Sequence, residues 1–318
     1  MIGFVLFALG LAGVVAGAYL LVLGASRLAT ALGVPSVVVG MTVVGFGTSM
    51  PELVTSAIAS WEGHPETALG NVVGSNIANV ALILGLSAVI IPLVPDRTLL
   101  RREGPVLIGV SAVVVLLGLT GAFDPWMGVL LLAGLAVFLV ASFWWSRDEP
   151  EVVVDQVEHF REQSGLAREK PAWLSALYAV GGIALLGAGG YALVDGAVDI
   201  AGNVGIQEFA LATTVVAVGT SLPELATSLT AALRREADIA IGNVVGSNIF
   251  NLLGVLGLAA VIGPIPLTDE MRWLDMPWMA GLSVIGVMFA RQGYALGRQE
   301  GAALLFAWVV YVVWLVWR

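Results

Sequence analysis

The chain contains no cysteine, only two histidines, and charged side chains at just 12% of its 318 residues. The missing thiols exclude disulfides, thiolate metal sites and cysteine nucleophiles. The scarcity of charge excludes an ordinary soluble globule, whose surface calls for roughly 25 to 35% charged residues. Basic residues are outnumbered 14 to 23, and the net charge of −9 is spread through loops, so there is no basic footprint for nucleic acid. His64 and His159 fall in polar connecting stretches, which leaves no imidazole for a zinc or copper site. No nucleophile, base and orienting group converge in the pattern, so an enzyme is not expected.

What the chain has instead is apolar length. Hydrophobic residues make up 58% of it, and they gather in runs comparable to the roughly 20 residues a helix needs to cross a bilayer. Spans are expected near 2–24, 36–60, 67–91, 105–121, 126–145, 173–196, 207–233, 238–262, 274–290 and 301–317. The first run carries small residues, as a secretory signal does, but it lacks a basic start and has a counterpart at Trp173 onward, so it reads as a retained span.

The same statement is then made twice. Gly47 to Asn79 reads GTSMPELVTSAIASWEGHPETALGNVVGSNIAN, and 172 residues later Gly219 to Asn251 reads GTSLPELATSLTAALRREADIAIGNVVGSNIFN. Gly33 and Gly205, and Pro105 and Pro277, share that offset. An all-α membrane protein follows, with a first five-helix half over 1–145, a linker over 146–172 and a second half over 173–318. Because each half holds an odd number of spans, the second copy enters the membrane from the opposite side, and duplication generates an inverted repeat. With the N-terminus outside, the inner loops hold 12 basic residues and the outer ones only Arg272 and Arg318, a strong positive-inside signal. A multi-pass plasma-membrane protein with both termini outside is therefore expected, with the 146–172 connector inside as a solvated linker rather than a surface helix. Asp195 and Asp199 read as an ordinary solvated helix end.

Within each copy the chemistry sits at GTS-x-PE. Pro51 and Pro223 lack an amide hydrogen, so the carbonyls of Gly47 and Gly219 lose their helical partners and spans two and seven are broken. Free carbonyls at membrane depth are tolerated only where they line a cavity or meet a ligand. Glu52 and Glu224 follow these breaks directly, and a charge near mid-bilayer costs on the order of 2.5 to 3.5 kcal/mol even on the lenient insertion scale. No lysine or arginine lies at matching depth in any span, which makes an imported cation the natural partner. Thr48 and Ser49 stand four and three residues before Glu52, and Ser75 stands four before Asn79, so these side chains can share faces. The second copy offers Thr220, Ser221, Glu224, Ser247 and Asn251. Such an all-oxygen inventory suits hard cations such as calcium and sodium. The asparagines read either as site oxygens or as bonds across helices, and Gly70, Gly74, Gly242 and Gly246 read as close helix packing.

On these two motifs, GTS-x-PE and GN-x-x-GSNI-x-N, the chain resembles a prokaryotic sodium/calcium exchanger of the cation/calcium exchanger superfamily, over essentially its whole length. The resemblance implies that Glu52 and Glu224 bind calcium with the carbonyls of Thr48 and Thr220. It implies sodium sites formed by Ser49, Ser75 and the carbonyl of Gly45, and in mirror image by Ser221, Ser247 and the carbonyl of Ala217, with Asn79 and Asn251 in the middle. It further implies sodium-for-calcium antiport by alternating access, with spans one and six sliding past a fixed core. Several exchangers carry aspartate where Asn251 stands, so only two central carboxylates remain here. Proton/calcium antiporters of the superfamily share the paired glutamates, which keeps the proton as an alternative coupling ion. A channel and a non-transporting scaffold are the remaining alternatives.

Overall fold

A computed structural model describes residues 2–32, 36–95, 97–146, 171–203, 219–291 and 295–317, and nearly all of its regular structure is helical. Most of the expected 146–172 connector, the start of the seventh expected span, and Gly33, Gly205, Ala217 and His159 lie outside the described residues.

Helices form where the apolar runs promised them. Those at Ile2–Leu32, Arg97–Gly118, Pro125–Ser146, Ala172–Asn203, Met276–Arg291 and Arg298–Trp317 overlay six of the expected spans. The expected spans at 67–91 and 238–262 are the near-continuous helical stretches Pro65–Ile90 and Ala237–Ile262. Among the described residues, six helices are long and apolar enough to cross a membrane: Ile2–Leu32, Pro65–Ile90, Pro125–Ser142, Ala172–Leu193, Ala237–Ile262 and Met271–Arg291. The Arg97–Gly118 helix carries Arg101, Arg102 and Glu103 in its early turns. The expected span 36–60 is divided into short pieces, Ser36–Val39, Gly40–Val44, Gly45–Thr48 and Met50–Trp61.

Glycine spacing decides how the longest helices meet. Gly3, Gly10, Gly17 and Gly24 recur every seven residues on the first helix, and Gly182, Gly189 and Gly196 do so on the Ala172–Asn203 helix. A seven-residue period keeps one seam facing a partner helix. The two helices run antiparallel along that seam: a Cβ at Gly17 would stand 2.7 Å from the Leu186 amide nitrogen, and one at Gly189 would stand 2.7 Å from that of Val14. Leu186 and Val14 are themselves 172 apart, so the two contacts are reciprocal. With lipid tails as apolar as leucine, this backbone-to-backbone approach holds the pair through dispersion. At one end of the seam the Asp199 carboxylate accepts from the Gly3 amide at 2.9 Å, so this residue anchors the first helix rather than serving only as a solvated end.

A second antiparallel pair, Arg97–Gly118 against Met276–Arg291, repeats the logic. Gly104 faces Val287, Gly118 faces Met276, and between them the hydroxyls of the equivalent residues Ser111 and Ser283 lie 3.4 Å apart. Loops are pinned by the two-residue strands Ala122–Phe123 and Ile265–Pro266 and by a bridge from Leu93 to Leu296. The turn after the Met50–Trp61 helix uses Gly63 at φ +82°, and its counterpart Arg235 holds φ +60° without being glycine.

Candidate ion-binding site

Each broken helix bends at a serine. Ser49 has φ −83° and ψ 5°, Ser221 has φ −88° and ψ 5°, and both precede a helix that carries proline in its first turn. Proline is suited to that position, where no amide hydrogen is needed. The chain resumes helical bonding at once, with the Leu53 amide donating to the Ser49 carbonyl and that of Leu225 to Ser221, both at 3.0 Å. Glu52 and Glu224 therefore fall in the first turn of the resumed helices, and both are fully buried.

The serine hydroxyls bond to the glutamate of the opposite repeat. Ser49 Oγ donates to Glu224 Oε1 at 3.1 Å, and Ser221 Oγ donates to Glu52 Oε1 at 3.3 Å. Since Ser221 precedes Glu224 by three residues, this exchange brings the two carboxylates into one locale. Thr48 Oγ1 also crosses over, donating to Asn243 Oδ1 at 3.0 Å, with Ser247 Oγ 3.3 Å away. Helical i to i−4 bonds run through Ser49 on both sides, and the hydroxyls of Thr48 and Ser49 find their partners on the other repeat, at Asn243 and Glu224.

The serines of the following helices behave likewise. Ser247 Oγ donates to the Gly45 carbonyl at 3.3 Å, and Asn251 Nδ2 donates to Ser75 Oγ at 3.1 Å. Asn79 Nδ2 reaches Asn248 Oδ1 at 2.9 Å. The Gly45 carbonyl therefore meets Ser247 of the other repeat. Thr220 Oγ1 lies 3.5 Å from Asn71 Oδ1, while Ala217 is outside the described residues. His64 stays in an exposed loop.

Asn79 and Asn251 open the wide-turn segments Ala78–Leu84 and Asn251–Val255, where the helix follows an i to i+5 pattern. Such bulges recur at functional sites because they release backbone groups and re-aim side chains. Glycine supports the approach: a Cβ at Gly45 would stand 2.9 Å from the Ser247 amide nitrogen, and one at Gly246 would strike the Met41 backbone. Packing was the expectation for Gly246 and is what it does, whereas Gly70 and Gly74 have no neighbour within 4 Å of such a Cβ.

What the cluster holds in reserve is acceptor oxygen. Glu52 Oε2, Glu224 Oε2, Asn79 Oδ1 and Asn251 Oδ1 are buried and have no hydrogen-bond partner. Unpartnered buried polar atoms are rare, and each costs about 1 to 3 kcal/mol. Among the described residues no three histidine, cysteine, aspartate or glutamate side chains gather as a metal cluster, so a cation here depends on two carboxylates supplemented by neutral oxygens. That donor set fits a hard cation and not zinc or copper.

Four asparagines in this network fall outside the set read from the sequence: Asn71, Asn76, Asn243 and Asn248. Asn71 Nδ2 donates to the Glu52 carbonyl and to Ser56 Oγ, and Asn243 Nδ2 donates to the Glu224 carbonyl and to Ser228 Oγ. Their recurrence at the 172-residue offset, in apolar spans, was the signal that could have found them.

Comparison with known proteins shows the family. The family model for "Sodium/calcium exchanger protein" matches residues 2–144 and 174–317. The sodium/calcium exchanger MaX1 of Methanosarcina acetivorans is 31% identical over 98% of each chain, and the inner membrane protein YrbG of Escherichia coli is 34% identical over 98% of this chain and 96% of its own. The solved structure of the sodium-calcium exchanger NCX_Mj superposes with a TM-score of 0.85, at 31% identity over 98% of each chain. With both halves matched and the fold shared, the chain belongs to the sodium/calcium exchanger family of cation/calcium exchangers, a family of membrane transporters.

Proposed function

We propose that this protein is a secondary active antiporter that exchanges sodium for calcium across the plasma membrane. It does so at one site built from Glu52 and Glu224. The observation that carries the reading is the reciprocal exchange of serine hydroxyls between the two glutamates, with one oxygen of each carboxylate left buried and unpartnered. Calcium takes Glu52, Glu224 and the carbonyls of Thr48 and Thr220. Sodium draws on Ser49, Ser75, Ser221, Ser247 and the carbonyls of Gly45 and Ala217, with Asn79 and Asn251 between. Both ions need the same two carboxylates, so full occupancy by one excludes the other, and competition for ligands produces exchange.

The architecture in this reading is ten spans in two inverted halves, 1–145 and 173–318, joined by an inner connector over 146–172, with both termini outside. The antiparallel, reciprocal contacts of equivalent helices support it. The helices Ile2–Leu32 and Ala172–Asn203 slide past the remaining core, so that the site opens to one side at a time.

The test is radiolabelled calcium uptake into proteoliposomes under an imposed sodium gradient, an imposed proton gradient or none. Uptake should follow the sodium gradient; uptake driven by protons without sodium would assign the proton as coupling ion, and uptake with no gradient would indicate a channel. Glu52→Gln and Glu224→Gln should each reduce sodium-driven uptake to background. Surviving transport in either variant would reject the shared site.

A further inference from the structure

We propose that Asn71 and Asn243 are positioning residues of the exchange site: each clasps the two repeats together and leaves the threonine carbonyl, rather than its hydroxyl, to the ion. The inference rests on the reading of Glu52 and Glu224 as the calcium site and adds two residues to which that reading gives no role.

A carboxamide has two donors and one acceptor oxygen, and in Asn243 each is committed in a different direction. Its nitrogen holds its own repeat, donating to the Glu224 carbonyl at 3.3 Å and to Ser228 Oγ at 2.8 Å. Its oxygen holds the other repeat, accepting from Thr48 Oγ1 at 3.0 Å. Asn71 repeats the arrangement, donating to the Glu52 carbonyl at 3.2 Å and to Ser56 Oγ at 2.9 Å, with Thr220 Oγ1 3.5 Å from its oxygen. Ser56 and Ser228 in turn donate to the carbonyls of Ala68 and Ala240, both at 3.4 Å, which ties the clasp to the helix that follows. Asn243 and Thr48 are almost completely buried, so the bond between them competes with no water.

Two consequences follow from the geometry. The carbonyl-bearing backbone at each glutamate is held from outside its own helix, immediately after the bend at Ser49 or Ser221. The nearest partner of the Thr48 hydroxyl is the Asn243 amide oxygen at 3.0 Å, ahead of Ser247 Oγ at 3.3 Å and the Gly45 carbonyl at 3.4 Å, so the hydroxyl hydrogen is committed within the protein. Only an asparagine does both jobs at this length: aspartate would oppose the Glu224 carbonyl and the Ser228 hydroxyl with an acceptor, and alanine would release all three bonds.

A double-mutant cycle tests the clasp, using equilibrium binding of radiolabelled calcium and sodium-driven uptake side by side on the full-length protein. Thr48→Val should raise the half-saturating calcium concentration by about five-fold, the worth of one neutral hydrogen bond, Asn243→Ala, which loses three bonds, by more than that, and the combination by no more than Asn243→Ala alone. Thr48→Ser should restore wild-type binding. Asn71→Ala with Thr220→Val forms an independent cycle at a partly exposed position, which decides the matter if Asn243→Ala does not fold. Effects that multiply, or half-saturation left unmoved while only the maximal rate or the yield falls, would overturn the inference. Wild-type protein that binds no calcium would overturn the underlying reading as well, which distinguishes the two failures.

Discussion

At the scale of single residues, the site depends on which oxygen each side chain directs inward. Ser49 and Ser221 donate to the glutamates of the opposite repeats. A hydrogen bond to a charged group contributes about 1.5 to 3 kcal/mol, more than a neutral pair does. Ser49→Ala and Ser221→Ala should therefore each raise the half-saturating calcium concentration about ten-fold or more, by similar amounts, because the two bonds differ by only 0.2 Å. Calcium titration of uptake in proteoliposomes measures this, and a loss confined to one serine would contradict the equivalence of the two halves. Asn251 bears on the same balance. With an amide there, the electrostatics of the centre rest on two acids, and the unpartnered oxygens of Asn79 and Asn251 act as dipoles only.

At the scale of elements, the seam between the first helix and the Ala172–Asn203 helix makes a sharp demand on side-chain size. Gly17 and Gly182 stand against backbone atoms of the facing helix, with a Cβ at Gly182 only 2.5 Å from the Leu21 amide nitrogen, whereas Gly187 on the same helix has open space where its Cβ would be. Gly182→Leu must push the helices apart and should abolish exchange while lowering thermal stability by several degrees. Gly187→Leu should leave both close to wild type. Uptake assays together with thermal unfolding in detergent check the pair, and equal sensitivity at both positions would mean that the seam has no special role. The wide turns at Ala78–Leu84 and Asn251–Val255 belong to this scale too, since they aim Asn79 and Asn251 inward within otherwise apolar helices.

At the scale of the whole molecule, the absence of cysteine turns topology into a direct measurement. Glu62 and Arg235 lie at the ends of the equivalent Met50–Trp61 and Leu222–Leu233 helices, 173 residues apart, and both are exposed. If the halves are inverted, these ends face opposite sides. A single Glu62→Cys should react with a membrane-impermeant maleimide in intact cells, while Arg235→Cys should react only after permeabilisation. Labelling of both from one side would remove the inverted arrangement, and with it the alternating access that depends on it.

Much of this protein was readable in its sequence because membranes impose simple arithmetic. Helix positions follow from apolar run lengths, the paired glutamates stand out because acids are costly among such runs, and the 172-residue echo names equivalent positions without any coordinates. The asparagines at 71, 76, 243 and 248 escaped notice because a polar residue in a span reads equally as packing glue or as a site, and only its partners separate the two. The glycine seam is periodic in the sequence, yet the identity of the facing helix is not. What the linear chain determined, then, was the inventory: which oxygens are available, and that they come twice. What only the tertiary structure decided was the pairing, because packing of the two copies against each other brings each serine hydroxyl to the glutamate of the opposite repeat, an outcome that no spacing along one chain segment can specify.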